Sequence, residues 1–126
     1  MKLIDQATAQ VDASYDEPAL QEDGTPLTDL AYTSVYYSPV LGLITVGQAP
    51  ALGPIVVGAK VNATSVAGGG TIATTLIVPA PIGKTSAFAF QASATDLTGA
   101  ESAKTPAVFF VIDRVSPATP RSFTVA

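Results

Sequence analysis

Four carboxylates crowd into one short stretch of this chain: Asp16, Glu17, Glu22 and Asp23. Paired carboxylates are the usual tools of glycoside hydrolysis, one acting as acid and the other as base or nucleophile. The chain has no histidine and no cysteine, so acid–base or nucleophilic work would rest on carboxylates, lysine or tyrosine. Such work needs one carboxyl desolvated or crowded until it keeps its proton at neutral pH. Pro18 and the Asp23-Gly24 pair mark the region as a turn, and turns lie at the surface. The reading is therefore a solvated acidic loop with no catalytic residue. With Asp29 these acids could offer oxygens to calcium, but the alternating spacing of an EF-hand loop is missing. No metal and no cofactor is expected.

Gly68-Gly69-Gly70-Thr71 resembles a phosphate cradle only in its glycines. A P-loop needs a lysine and a helix behind it; here β-branched residues follow, which predicts a flexible hairpin turn. Asn62-Ala63-Thr64 matches a glycosylation triplet. Met1 to Gln6 meets an acid at position 5 and predicts no secretory leader, which leaves the triplet without a use.

Tyrosine is the remaining candidate. Tyr32, Tyr36 and Tyr37 cluster, and on a strand Tyr36 points opposite to Tyr37, towards solvent or a neighbour. Tyrosine offers large contact area at low entropic cost, so recognition and plain strand filling are both open to it.

These residues must be positioned by strands. The 126 residues suffice for one domain with a real core. Ten glycines and ten prolines punctuate the whole length, and no segment sustains a 3.6-residue apolar period. Residues 3–4 read as a short edge strand. Residues 11–15 alternate Val11, Ala13 and Tyr15 with Asp12 and Ser14. Residues 31–37, 41–47, 55–61, 71–78, 86–95 and 107–112 are further strand candidates, rich in β-branched and aromatic residues. Ser38-Pro39 is expected to close the strand 31–37, and residues 48–54, 62–70 and 96–102 to be loops. The fold class is all-β: a sandwich of seven to nine strands that buries Val11, Tyr15, Val35, Tyr37, Leu76, Phe88 and Phe90 between two sheets.

Charge is sparse and uneven. Charged residues make up 13% of the chain, about half the common share, and mean hydropathy is +0.40. Residues 1–29 hold seven acids against Lys2, net −6; the rest holds three acids against five bases, net +2, giving −4 overall. An acidic edge without a basic cluster argues against nucleic acid as a partner. Residues 30–59 carry no charge at all. Gly42, Gly47, Pro50, Gly53 and Pro54 interrupt that run, which argues against membrane insertion. Solvated sheets carry charges on their outer faces and edges. The uncharged middle is therefore read as a subunit contact surface, against the alternative of an inserted hairpin folded on its own core.

A strand ending in an aromatic, then Pro18, then Asp23-Gly24-Thr25-Pro26-Leu27-Thr28-Asp29-Leu30 and a strand ending Val35-Tyr36-Tyr37, resembles a fibronectin type III domain of the kind common in bacterial and phage proteins. Residues 86–94 and the following loop resemble that family's sixth strand and the loop after it. Residues 116–125 resemble a linker and an opening strand. Tyr15 stands where the family carries a core tryptophan, and Phe88 where it carries a corner tyrosine; the integrin-binding Arg-Gly-Asp tripeptide is absent. The resemblance implies an immunoglobulin-like sandwich over residues 1–113, with a hairpin inserted within 38–75, and a tail or extra edge strand over 114–126.

It further implies a non-enzymatic structural or protein-interaction subunit. The expected setting is a bacteriophage virion, as capsid decoration, head fibre or tail accessory protein, with copies of itself and other virion proteins as partners. The alternative is a carbohydrate- or receptor-binding module at a bacterial cell surface, with Tyr32 and Tyr36 as platform. The candidate interface is Tyr32, Tyr36, Leu41, Leu43, Ile44, Phe123 and Val125.

Overall fold

Period-two burial dominates the first long strand. In β2 (Thr8–Asp16) Ala9 and Val11 are buried and Ala13 and Tyr15 half-buried, while Asp12, Ser14 and Asp16 face water. Its partner β6 (Thr71–Pro79) buries Ile72, Leu76 and Val78 and exposes the residues between them, except half-buried Thr74. The two pair antiparallel with Val11 opposite Leu76 and Tyr15 opposite Ile72, so one face is apolar throughout. A two-residue strand, β1 (Lys2–Leu3), adds to the start of β2. Asp5 makes that reversal: its carboxylate accepts the Ala7 and Thr8 N–H groups at 2.8 Å each and the Thr8 hydroxyl at 2.9 Å, a side chain standing in for a turn carbonyl.

The computed structural model describes residues 1–42, 50–122, 124 and 125. The second sheet is built on β3 (Leu30–Leu41), which pairs with β5 (Val56–Asn62) and β4 (Ala51–Leu52) along one edge and with β7 (Thr85–Asp96) along the other. Strand β8 (Val108–Asp113) closes the far side of β7. The sheets therefore run β1-β2-β6 and β4-β3-β7-β8, with β5 beside β4 on β3. All pairings are antiparallel, and eight strands and no helix occur among the described residues. No helix there is long and apolar enough to cross a membrane. The architecture is all-β in two sheets, as the alternation predicts.

The structure corrects two boundaries. Ser38-Pro39 does not end β3, which continues to Leu41. Ala92 and Ala94 direct their backbone groups towards the β8 side, bonding Thr105 and Ser102. By alternation the residues of β7 that bond β3 are Ala89, Gln91 and Ser93, so Pro39, opposite Phe88, falls on a pair that needs no N–H. On its other side Pro39 only accepts, from the Gly53 N–H at 2.7 Å. The second correction is Ala51–Leu52, read from sequence as loop, which pairs with Leu41 and Val40. Of the predicted strand 41–47, Leu41 ends β3 and Gly42 takes a φ of 76°; residues 43–47 lie outside the described residues.

The two sheets meet over Ala9, Val11, Val78, Ala80, Phe88 and Ile112, with Tyr37 and Phe90 packed against them. Tyr37 meets Phe88 edge-on, centroids 5.7 Å apart at 88°, the geometry that aromatic quadrupoles favour. Of the expected core, Val11, Val35, Leu76 and Phe88 are buried, and Tyr15, Tyr37 and Phe90 are half-buried. A β-bulge lets β5 follow β3: Val35 pairs with Ala59 and Tyr36 with Val57, which leaves Gly58 extra. A Cβ there would stand 2.2 Å from Leu76 Cδ2, so glycine is what lets β5 lie close to the facing sheet.

A side-chain hydrogen bond ties the layers within the strands: the Tyr15 and Thr33 hydroxyls lie 2.7 Å apart, and Thr33 is buried. Tyr15→Phe strands the Thr33 hydroxyl in the core and is expected to cost about 1–2 kcal/mol. Chemical denaturation at neutral pH measures it; an unchanged midpoint would mean that Thr33 finds another acceptor.

Candidate interaction surface

The outer face of the larger sheet carries the predicted tyrosines. Tyr32 and Tyr36 are four residues apart on β3 and share that face, with Ser34 between them and Ser93 and Gln91 beside them on β7. Neither ring is bare. Lys60 on β5 places its ammonium 3.9 Å from the Tyr32 centroid, and Lys104 lies 4.7 Å from that of Tyr36. The Tyr36 hydroxyl donates to Glu101 Oε2. Ser93 donates to the same oxygen at 3.1 Å, and Lys104 approaches Glu101 Oε1 at 3.8 Å. The Tyr36 hydroxyl, then Ser93 and the Lys104 charge, hold the Glu101 carboxyl below its ordinary value despite an opposing desolvation. This face is a self-satisfied polar network, and its tyrosines are partly used up within it.

The acidic region differs from its sequence reading at one residue. Asp23 is exposed and caps its own turn, accepting the Thr25 N–H and hydroxyl at 3.0 and 2.6 Å. Asp16 accepts from the Thr71 hydroxyl at 3.0 Å. Glu17, expected to be solvated, is only 4% exposed. Its carboxylate accepts the Thr64 N–H at 2.9 Å, the Thr64 hydroxyl at 2.5 Å and the Gly70 N–H at 3.0 Å. Desolvation raises its pKa, but these three bonds outweigh it, and the net direction is down. Beside this end lies an open cleft of about 470 Å³ lined by Glu22, Asp23, Asp96 and Glu101 among others. The Asp96 carboxylate is taken up by the Thr98 hydroxyl and the Ala100 and Thr98 N–H groups. No set of three acids among the described residues stands together as a metal site.

Residues 62–70, read as a flexible hairpin turn around the glycines, instead cross from one sheet to the other, β5 to β6, and are tied down throughout. The Leu30 N–H donates to Val66, Gly69 N–H to Pro18, and Glu17 N–H to Gly70, at 3.0, 3.1 and 2.8 Å.

Apolar surface is concentrated at the two edges of the five-stranded sheet. At one edge Leu41, Leu52, Ile55, Val56 and Val57 are exposed. At the other, four consecutive residues of β8, Val108, Phe109, Phe110 and Val111, are 36–67% exposed. Between β8 and β2 the sandwich is open as an apolar groove of about 300 Å³, lined by Val11, Tyr15, Val35, Phe90, Val108 and Phe110. On that side β1 pairs with only Ala9 and Gln10 of β2.

Of the candidate interface, Tyr32 and Tyr36 thus come together on one face and Leu41 lies at the adjoining edge. Val125 is exposed in a tail whose described residues form no strand. Leu43, Ile44 and Phe123 lie outside the described residues. The β8 edge was missed from sequence, although a signal existed: residues 106–112 contain no polar side chain, unlike the alternating β2. No family model matches the chain, and neither a curated protein nor a solved structure matches it.

Proposed function

We propose that this chain is a non-enzymatic structural subunit that works by covering its exposed apolar sheet edges in an assembly. The carrying observation is the pair of uncharged, apolar edges on one sheet, Leu41 with residues 52–57 on one side and residues 108–111 on the other. Solvated edges are ordinarily blunted by lysine, proline or bulges; β8 has none of these between Val108 and Ile112. The strand order, three strands as β1-β2-β6 facing β5-β3-β7-β8, supports an immunoglobulin-like sandwich of the fibronectin type III sort. The setting as a bacteriophage virion component rests on the sequence resemblance alone, as analogy.

A carboxyl acting as general acid is disfavoured on physical grounds. Wherever a carboxyl here is displaced from its ordinary pKa, at Asp5, Glu17, Asp23, Asp96 and Glu101, the direction is down. A general acid needs the opposite. The glycan-platform alternative is weakened because lysines already lie over Tyr32 and Tyr36.

Size-exclusion chromatography with light scattering tests the reading. Self-association that rises with concentration, or co-migration with purified virions, is expected. A strict monomer that joins no particle rejects it.

A further inference from the structure

Strand β8 is self-complementary, and this names the partner. Arg114 exchanges backbone bonds with Lys84 and Gly83 on the β7 side, at 3.0 Å each. Alternation then turns the backbone groups of Val108, Phe110 and Ile112 towards β7, and leaves those of Phe109 and Val111 pointing away, on the free edge. That edge is framed by Lys104 before it and by Asp113 and Arg114 after it, and carries no charge between.

Two such edges can pair antiparallel about a two-fold axis only where free groups meet free groups. Three registers satisfy this. Centring the axis on Phe109 pairs only Val108, Phe109 and Phe110 of β8, and turns Arg114 of one copy towards Lys104 of the other. Centring it on Val111 pairs as many residues but draws Asp113 into the ladder, opposite Phe109. Centring it on Phe110 pairs Phe109 with Val111 and Val108 with Ile112, and leaves every charge outside the paired residues. Like charges directly opposite one another destabilise a strand pair, whereas aromatic and β-branched pairs stabilise it.

We propose that two copies of this chain join β8 to β8 in the register centred on Phe110, fusing two five-stranded sheets into one. This rests on the structural-subunit reading and deepens it by naming the edge and the partner. A junction of two short strands buries less than the roughly 800 Å² per partner of a standard interface, so the dimer is concentration-dependent rather than obligate. The junction is isologous and therefore closed. The β5 edge at the far side of each sheet stays free for other virion proteins.

The chain has no cysteine, so single cysteines report cleanly. Phe110 would sit opposite its own copy in a non-hydrogen-bonded pair, whose Cα separation of about 4.5 Å suits a disulfide. Under copper-catalysed air oxidation the full-length F110C is expected to convert to a covalent dimer, whereas V108C, opposite Ile112, stays monomeric. V111K, at an outward position that is 52% exposed, should keep the parent circular dichroism and melting temperature. In sedimentation velocity it should lose the dimer across a dilution series in which the parent shows one. Cross-linking of V108C rather than F110C would overturn the register and the proposal with it. A parent dimer that survives V111K but dissociates with V57K would overturn the β8 junction while leaving the structural-subunit reading intact. A parent that is monomeric at every concentration overturns the junction; failure to join virions as well then removes the reading beneath it.

Discussion

Gly68→Ala is expected to destabilise the protein by about 3 kcal/mol or more, the largest effect of a methyl group added at any glycine among the described residues. Two causes add. Gly68 has a φ of 66°, a conformation that costs an L side chain about 1–2 kcal/mol. Its added Cβ would also stand 2.0 Å from the Pro18 carbonyl oxygen and 3.2 Å from methyls of Leu27 and Leu30. A backbone carbonyl cannot swing aside as a side-chain tip can, so the loop must move off the end of the core. Gly69 is the internal control. Its φ is 80°, but a Cβ there meets only the Ala19 Cβ, at 3.6 Å, so Gly69→Ala should cost the backbone term alone. Urea unfolding of the two variants separates strain from packing, and equal losses would show that the contact with Pro18 constrains nothing.

The next largest effect belongs to Glu17. Removing its buried carboxylate by Glu17→Ala takes the acceptor from the Thr64 N–H and hydroxyl and from the Gly70 N–H, at an expected cost of about 3 kcal/mol. Glu17→Gln keeps the shape but turns an amide donor towards groups that are themselves donors, so it should recover only part of this. The loss also has a pH signature. Because the folded-state pKa lies below the ordinary 4.5, the unfolded chain takes up the proton first. The carboxylate's contribution is whole above about pH 4.5 and is lost as pH falls through the folded value. Asp5, Asp23, Asp96 and Glu101 shift in the same direction, so the parent as a whole should weaken on acidification. The gap between parent and Glu17→Gln, measured by denaturation at pH 7 and again near pH 3, should narrow. A gap that stays constant would mean that the ionised form plays no part in holding the loop.

Both predictions concern the join between β2 and the 62–70 crossover, where sequence reasoning went furthest astray. Three successive glycines read as slack; here they are spacing, because Gly68 and Gly70 lie too near Pro18, Thr64 and Glu17 for a side chain. A glutamate beside an aspartate and a proline read as solvated, because its partners lie 47 and 53 residues further on. The uncharged middle was read as contact surface. Much of it is β3, an interior strand paired on both sides, which has no use for charge; among the described residues the exposed remainder is Leu41, Gly42 and residues 51–57, apart from half-buried Gly53.

What the chain determined by itself is the all-β class, the position of nearly every long strand and the faces of β2, β3, β6 and β7. Alternation and turn chemistry are local, and they need no partner to be legible. What only the tertiary structure decided is which polar groups are buried, which glycines are tight and which edge is bare. The burial of Glu17, the lysines over Tyr32 and Tyr36, and the exposed run Val108–Val111 each depend on what lies across a sheet or beyond it. A one-dimensional pattern carries no record of which strand ends a sheet, and β8 is exposed because it pairs with β7 alone.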